Sequence, residues 1–468
     1  MGQIVFGAVV PHPPIIIKEV GGEERLKAEK TIQALESLSL DLVESHPDTL
    51  VLISPHGPVF EDGIVILGNE QLAGNFANFG APQVKLAYTT NLELAEGIVA
   101  RAKEKDIFAV VSRSEDRSLG IRQILDHGAA VPLSFFQAAG FNGRIVLMGI
   151  AMFPPDELYE FGVAIQQAVE DSGERVAIIA SGDLSHRLTE DAPAGYNPKG
   201  KEFDELLVER INLGDFAGIM DIDPELAEAA GECGYRPVNM LLGCFDGYNL
   251  ETKVYSYQGP FGVGYLVAGL KPLDRSGGTG GYIKAYRLQR EQRLEKLHAT
   301  RHPIVKLAAA SLEHFLRQGE YLKDYAPLPE DFPSRAGVFV SLKKHGNLRG
   351  CIGTTAATQK NLAREVINNA VSAGTEDPRF FPVELSELPE LTISVDILGE
   401  EEQISSLAQL DPQRYGVIVR SGNRSGLLLP NLEGIDTATE QVKIARQKAG
   451  IGINETVQLS RFEVKRYY

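Results

Sequence analysis

The sequence predicts two domains of different fold class: an α/β domain with a mostly parallel central sheet and flanking helices, followed by an α+β domain. The length is the first observation, because 468 residues exceed what one hydrophobic core commonly holds. The second is a repeated alternation of short β-branched runs with helical patterns in the first part, which is typical of an α/β sheet. The third is a different order in the second part, where helices come first and strands follow.

Four continuous apolar runs in the first part predict strands that are buried on both faces. Short runs rich in β-branched residues are typical of parallel sheets, whose two faces are both covered by helices. Helical patterns lie between the runs, for example at 23–45 and 92–105, and further strands at an edge of the sheet are predicted within 253–269. The four runs are QIVFGAVV (3–10), TLVLIS (49–54), GRIVLMGIA (143–151) and RVAIIAS (175–181).

A glycine-rich stretch divides the chain. DRSGGTGGY, residues 274–282, lies between two patterned regions and predicts a flexible linker. A phosphate-binding loop is the alternative interpretation, but no strand leads into the stretch and no GK[ST] follows it. We therefore expect a first domain at 1–273, a linker at 274–284 and a second domain at 285–468. The second domain begins with a charged, helical segment at 283–319, and its strands come later, which favours α+β.

Composition narrows the functional classes. The formal net charge of -17 argues against a general nucleic-acid binder and against binding to an acidic membrane surface. Three cysteines cannot form a disulfide framework, so we expect a reducing cytoplasm. The apolar start of the chain lacks the basic segment and cleavage site of a signal peptide. No apolar run approaches the roughly 20 residues that a membrane span needs, and we expect no membrane association.

Histidines follow three of the predicted strands. His12, His56 and His186 come shortly after the runs that end near residues 10, 54 and 181, and His127 lies just before a predicted helix. In an open α/β sheet the carboxyl ends of the strands form the ligand crevice. One such histidine is most often an ordinary loop residue, but three at one edge indicate a shared site.

Two histidines and one carboxylate suggest a metal site. Such a set binds one face of a divalent metal and leaves coordination positions open, which suits non-haem Fe(II) oxygenases. Glu232 in AGECGYRPVNMLLG is the candidate carboxylate, on a glycine-flanked turn before a helix whose start is marked by Pro237. Asp126 and Asp183 are alternatives, because each lies near one of the candidate histidines in the sequence.

Five motifs in order resemble a known family. PHPP, SPHG, LDHGAAVPL, SGDLSH and the Glu232 region are similar to those of the class III extradiol ring-cleavage dioxygenases and of their Memo-like relatives, over nearly all of residues 1–270. The resemblance implies that His12, His56 and Glu232 bind Fe(II), with Zn or Cu as alternative metals. In Memo-like relatives a cysteine can stand where the carboxylate stands, and Cys233 is adjacent, so the third ligand stays open.

The same resemblance implies catalytic roles and a substrate. His186 would be the acid/base histidine, and His127 would be its partner, either behind the metal ligands or in contact with the substrate. A small aromatic diol would be the substrate, bound through both oxygens, and a pocket for it should be lined by apolar and aromatic side chains. Aromatic residues near the motifs are Phe60, Phe135, Phe136, Tyr196 and Tyr235.

The second part resembles the AMMECR family. NLRGCIGTT, residues 347–355, contains the LRGCIG signature of that family, and the resemblance covers roughly 290–468. Arg349, Cys351 and Arg379 could form a second site, with a reactive thiol and an arginine that holds an anion. The alternative is a tight turn in which the cysteine packs and the arginines make structural hydrogen bonds.

The fusion of the two domains resembles a component of the AmmeMemoRadiSam system. That name implies association with a radical-SAM protein, which would be a separate partner because this chain has no CxxxCxxC motif. We therefore expect a dioxygenase-like oxidoreductase. A non-catalytic metal-binding scaffold that serves such a partner, and a zinc-type hydrolase, are the alternatives.

Overall fold

The chain folds into two units, Met1–Arg290 and Glu291–Tyr468. The computed structural model describes residues 1–114, 120–275, 280–329, 332–344, 346–432, 435 and 437–468. Part of the predicted linker, 276–279, lies outside the described residues, so the domain limits drawn from the sequence stay predictions.

Strands and helices alternate through most of the first unit. None of the helices in the described ranges combines the length and apolar character needed to cross a bilayer. The strands are β1 Gln3–Val10, β2 Thr49–Ile53, β3 Val59–Phe60, β4 Ile64–Leu67, β5 Gln71–Phe76, β6 Ala81–Thr89, β7 Ala109–Ser112, β8 Arg144–Met148, β9 Ile150–Ala151, β10 Arg175–Ser181, β11 Tyr248–Gln258 and β12 Tyr265–Arg275. The helices are α1 Lys18–Gly21, α2 Glu29–Glu44, α3 Leu92–Lys103, α4 His127–Ala138, α5 Pro155–Ser172, α6 Pro198–Leu213, α7 Phe216–Met220, α8 Pro224–Ala230, α9 Tyr235–Cys244 and the start of α10 Gly281–Thr300, whose residues after Arg290 belong to the second unit.

Eight strands of the first unit form one sheet in the order β11-β12-β1-β10-β2-β8-β4-β7. The four apolar runs form its centre, where β1, β10, β2 and β8 are parallel neighbours. The predicted edge pair is antiparallel, with β11 outermost and β12 beside β1. The predicted α/β class is confirmed, and the parallel pairing brings the carboxyl ends of β1, β10 and β2 side by side.

Helices cover both faces of this sheet. On one face α3, α5 and α9 pack against residues such as Val51 and Ile178. On the other face α2 and α4 pack against Leu50 and Ile179. Neighbouring residues of one strand therefore enter opposite cores, which is why the runs are continuously apolar. Each fully buried aliphatic side chain contributes about 1.5–3 kcal/mol, so the central strands are firmly held.

The second unit is built on an antiparallel sheet. The strand order is β14-β13-β15-β19-β17-β18, and β16 pairs with β19. Helices α11 and α12 share a core with β13 and β15, while α13 packs on β17 and β18, as the predicted α+β class requires. The elements are α11 Pro303–Gln318, β13 Val338–Lys344, β14 Asn347–Gly353, α12 Leu362–Thr375, β15 Leu391–Leu398, β16 Glu402–Ile404, β17 Tyr415–Ser421, β18 Arg424–Leu428, α13 Ala438–Lys448 and β19 Gln458–Tyr467.

Candidate metal centre

Two histidines meet at the carboxyl edge of the central sheet. His12 follows β1 and His56 follows β2, and these strands lie on either side of β10. The two Nε2 atoms are 2.9 Å apart, and the rings are nearly perpendicular with centroids separated by 4.7 Å. The edge predicted from the strand order therefore brings both imidazoles to one point.

A thiol is the third donor at this point. Cys233 Sγ lies 3.7 Å from His12 Nε2, and the donor atoms of His12, His56 and Cys233 all lie within 4.8 Å of one another. The loop that carries Cys233 rests on the end of β10, because a Cβ at Gly182 would lie 2.2 Å from the Cα of Gly234. Backbone hydrogen bonding fixes the loop further, since Cys233 N–H donates to the Asp183 carbonyl at 3.2 Å.

The geometry of the three donors fits a small divalent metal. Ordinary zinc bond lengths and tetrahedral angles place two nitrogens about 3.3 Å apart and a nitrogen and a sulfur about 3.6 Å apart. The observed separations of 2.9 and 3.7 Å are close to these values. Imidazole and thiolate ligands together suit zinc, copper or iron.

A hydrogen bond sets the tautomer of His12. Ser181 Oγ donates to the Gly128 carbonyl at 2.5 Å, so it accepts a hydrogen bond from His12 Nδ1, 2.9 Å away. The proton of this imidazole is therefore on Nδ1, and Nε2 presents its lone pair to the other donors. The Asp183 carboxylate accepts from the His12 backbone N–H at 2.9 Å and lies 4.0 Å from Nε2.

The site favours uncharged imidazoles. Burial, followed by the nearby histidines His56, His127 and His186, holds the pKa of His12 well below its ordinary value. Burial, followed by His127 and His186, lowers the pKa of His56 to about 4. Neutral imidazole is the form that binds a metal, so no proton has to leave these nitrogens at neutral pH.

Glu232 takes a different position from the one predicted for the third ligand. Its carboxylate accepts a hydrogen bond from Tyr235 N–H at 2.5 Å, at the start of α9, and Glu232 is not a member of the three-donor group. Burial raises the pKa of Glu232 to about 7. The first N–H groups of a helix need acceptors, and this carboxylate serves one of them. Of the two alternatives that the resemblance left open, the donor geometry favours Cys233.

His127 lies directly behind His56. It is the first residue of α4, and its ring centroid is 4.0 Å from that of His56 and 5.5 Å from that of His12. Asp126 fixes this helix start by accepting from Ala129 N–H at 3.1 Å. Burial lowers the pKa of His127, although Asp126 acts in the opposite direction.

His186 presents an unprotonated nitrogen. Its Nδ1 lies 2.6 Å from the Gly231 carbonyl, which can only accept, so the proton is on Nδ1 and Nε2 is free. Burial lowers the pKa of His186, and the hydrogen bond to Gly231 partly offsets this. Electrostatic interaction of His186 with His12 and His56 places it in the same cluster.

The predicted second-site residues are bonded to carboxylates that the sequence analysis did not single out and to backbone. Arg349 donates to both Glu387 carboxylate oxygens, at 2.8 and 3.0 Å, and to two backbone carbonyls. Arg379 forms an ion pair with Asp377 at 2.7 Å, and the same carboxylate accepts from Cys351 N–H at 2.8 Å. The structure thus joins Cys351 and Arg379 through Asp377, while Arg349 is directed to Glu387.

Two residues beside the metal centre were not predicted from the sequence. Ser181 is the last residue of β10, within SGDLSH, and a hydroxyl at the end of a predicted central strand is the signal that could have identified it. Phe79 contacts His127 with ring centroids 5.4 Å apart. The turn sequence NFANFG, residues 75–80, between alternating strands was the signal for it.

The fold and the clustered histidines define a ring-opening dioxygenase type of domain, and the comparisons agree. The family model described as the catalytic LigB subunit of aromatic ring-opening dioxygenase matches residues 7–268, and the chain belongs to this family. A second family model, AMMECR1, matches residues 305–467. The predicted fusion of a LigB-type domain with an AMMECR domain is confirmed.

Similar proteins match either nearly the whole chain or about a third of it. Protein CA_C1420 of Clostridium acetobutylicum is 40% identical over 463 residues, which are 98% of each chain. A protein of Thermotoga maritima is 48% identical over 169 residues, 36% of this chain and 97% of its own. Among solved structures, the uncharacterized protein PH0010 from Pyrococcus horikoshii is 30% identical, with a TM-score of 0.32 over 35% of this chain and 88% of that chain.

Proposed function

We propose that the first unit is an Fe(II)-dependent oxidoreductase of the extradiol ring-opening type, with a small aromatic diol as substrate. His12, His56 and Cys233 would hold the metal. The observation that carries the proposal is the convergence of the His12 and His56 Nε2 atoms and the Cys233 thiol beside another uncharged histidine, His186. Bound Fe(II) would supply Lewis acidity toward the diol oxygens and an electron source for O2.

The role of His186 in this proposal is proton transfer. Its Nε2 takes a proton from a hydroxyl group of the diol, and the Gly231 carbonyl at Nδ1 stabilises the charged imidazolium that results. The lowered pKa keeps His186 in its basic form at neutral pH, so it is ready to accept. His127 packs against His56 and limits the entry of water on that side.

The thiol favours a second candidate function. Thiolate is a soft ligand that suits zinc and copper(I), whereas oxygenases of this kind commonly use a carboxylate. A metal-binding module without turnover, serving a separate radical-SAM protein, would need only His12, His56 and Cys233. A zinc hydrolase would use the same three ligands to activate water. Each version places the protein in the cytoplasm, because a reducing compartment preserves the free thiol.

Metal analysis and oxygen uptake separate these candidates. Protein purified without oxygen should contain iron and should consume O2 with one member of a catechol panel. His186→Ala should keep its metal and lose roughly 10²- to 10⁴-fold in turnover, because it removes only the proton acceptor. His314→Ala, in α11 of the second unit, is the matched control.

The possible outcomes are distinct. Iron-loaded protein that consumes no O2 with any diol would contradict the oxidoreductase and support the module without turnover. Protein that contains zinc and hydrolyses an ester or amide would support the hydrolase.

A further inference from the structure

A phenylalanine stands exposed beside the metal centre. Phe79 keeps 38% of its surface exposed, and it lies at the tip of the hairpin formed by β5 and β6. A single 3-10 turn, Ala77–Phe79, joins the two strands, and Gly80 closes it with a φ of +80°. Glycine adopts that left-handed conformation without strain, so the turn is tight and its aromatic side chain has a defined direction.

The hairpin is fixed to the body of the unit. Leu72 and Phe76 of β5 and Leu86 of β6 are buried in the same core as α4. Leu125 N–H donates to the Ala73 carbonyl at 3.0 Å, which ties the hairpin two residues before His127. The position of Phe79 relative to that histidine is therefore set by packed structure.

Phe79 and the ligand histidine are joined by one intervening ring. The Phe79 centroid lies 5.4 Å from that of His127 at an interplanar angle of 62°, an edge-to-face contact. His127 in turn lies 4.0 Å from His56, whose Nε2 is one of the three donors. Phe79 therefore stands about one aromatic ring away from the ligand histidines and still presents apolar surface to solvent.

Two other aromatic residues near the motifs, Phe136 and Tyr235, are 0% and 5% exposed, and the hydroxyl of Tyr235 donates to backbone carbonyls of 219 and 220. Tyr196 is exposed, but within the described residues Phe79 is the aromatic side chain whose ring contacts a histidine of the cluster. Phe79 packs on His127 and Phe76 and still keeps part of its ring exposed. An open aromatic surface beside a metal site is suited to stacking with a planar ring.

We propose that Phe79 is a specificity-determining residue that stacks with the aromatic ring of a diol bound at the metal centre. The inference rests on the proposed function, since the diol oxygens have to engage the metal held by His12, His56 and Cys233. The stacking selects planar aromatic ligands over aliphatic chelators of similar bite. It contributes to binding and takes no part in proton transfer.

A binding titration tests this assignment without turnover. Full-length protein loaded with zinc, which is redox-inert, is titrated with 4-nitrocatechol and, separately, with acetohydroxamate, a bidentate chelator without a ring. Phe79→Ala should weaken 4-nitrocatechol roughly tenfold and leave acetohydroxamate unchanged, because one aromatic contact is lost. Phe79→Tyr, which keeps the ring, should restore affinity to within about threefold.

The matched control is another exposed phenylalanine of the same unit. Phe108 is 66% exposed and precedes β7, which is separated from β2 by β8 and β4, about 14 Å at the usual strand spacing. Phe108→Ala should bind both probes like the wild type. Zinc stoichiometry and the melting temperature of each variant check that the fold and the metal centre are kept.

The outcomes separate this inference from the proposed function. If Phe79→Ala binds 4-nitrocatechol as the wild type does, or loses both probes equally, the stacking role is wrong while the metal centre stands. If the wild-type protein binds zinc but not 4-nitrocatechol, the diol substrate itself is wrong and the stacking role fails with it.

Discussion

The pKa values of carboxylates shift in opposite directions in the two units. In the first unit, burial raises the pKa of Asp183 to about 7, of Asp204 to about 6 and of Glu232 to about 7. Their hydrogen bonds come from backbone N–H groups and from Tyr257. In the second unit, the hydrogen bond from Arg379 holds the pKa of Asp377 far below its usual range.

Glu387 follows the pattern of the second unit. Burial acts to raise its pKa, but the hydrogen bonds from Arg349 and from the Glu384 backbone lower it. The second unit thus pairs Asp377 and Glu387 with its own arginines, whereas the candidate metal centre of the first unit groups acids, a thiol and neutral imidazoles. In the proposed function a bound metal would supply positive charge to the first group, and the second group already has it from the protein.

The largest expected effect is the loss of metal from the first unit. His12→Ala removes one of three donors, so metal affinity should fall by more than the roughly 10- to 100-fold that loss of an outer-sphere partner costs. Elemental analysis of protein purified without oxygen measures this. His46→Asn, at an exposed position with φ of 49°, is the control and should keep its metal. Full occupancy in His12→Ala would overturn the ligand assignment.

The second expected effect is an opposite pH dependence of two carboxylates in metal-free protein, Asp204 of the first unit and Asp377 of the second. A raised carboxyl pKa stabilises the fold below pH 4, and this contribution is lost as pH rises to about 6–7, on the order of 3 kcal/mol for Asp204 alone. A lowered carboxyl pKa, as at Asp377, stabilises the fold above pH 4. This contribution to stability is lost as pH falls below that value.

Hydrogen exchange resolved by peptide, corrected for the intrinsic rate, measures both trends against matched variants. The variants are needed because the lowered pKa of His56 acts in the opposite direction over pH 4 to 7. The protection of α6 in the wild type relative to Asp204→Asn should fall between pH 4 and pH 7, and the protection of β14 relative to Asp377→Asn should fall below pH 4. A parallel pH dependence of these two differences would contradict the contrast between the carboxylates.

The smallest expected effect lies in the second unit. Arg349→Ala leaves Glu387, whose side chain is 15% exposed, without its bidentate partner. We expect the free energy of unfolding to fall by about 2–3 kcal/mol. The exposed pair of Arg414 with Glu463 is the matched control, and Arg414→Ala should cost under about 1 kcal/mol. Denaturant unfolding measures the free energy of unfolding of each variant. The metal content of the protein should not change in either variant. Equal costs would contradict the structural role of Arg349.

The central strands and their histidines could be predicted because the physics there is local. A continuous apolar run is typical of a strand covered on both faces, and parallel neighbours must place His12 and His56 at one edge. The choice between Glu232 and Cys233 could not be made in this way. Adjacent residues in a turn point in different directions, and only the packing of Gly182 against Gly234 decides which side chain reaches the histidines.

The position of Phe79 is a second feature that could not be predicted from the sequence. The hairpin that carries it is a separate two-stranded sheet, and its place beside His127 comes from packing onto α4. The local sequence pattern predicts the turn that carries Phe79, but it does not predict that His127 lies beside it. In the second unit, the sequence likewise could not decide whether Arg349 binds a ligand or stabilises the fold. Its partner Glu387 lies 38 residues away in the chain, so the local sequence does not indicate the contact.

A cobalt titration tests the cation-receiving site most directly. Metal-free full-length protein is titrated with Co(II) without oxygen, and the thiolate-to-cobalt absorption band is recorded for the wild type, Cys233→Ser and Glu232→Gln. We expect the wild type and Glu232→Gln to bind one equivalent with the band, and Cys233→Ser to lack it. A wild-type protein that binds no cobalt, or a band that survives in Cys233→Ser, would contradict the account.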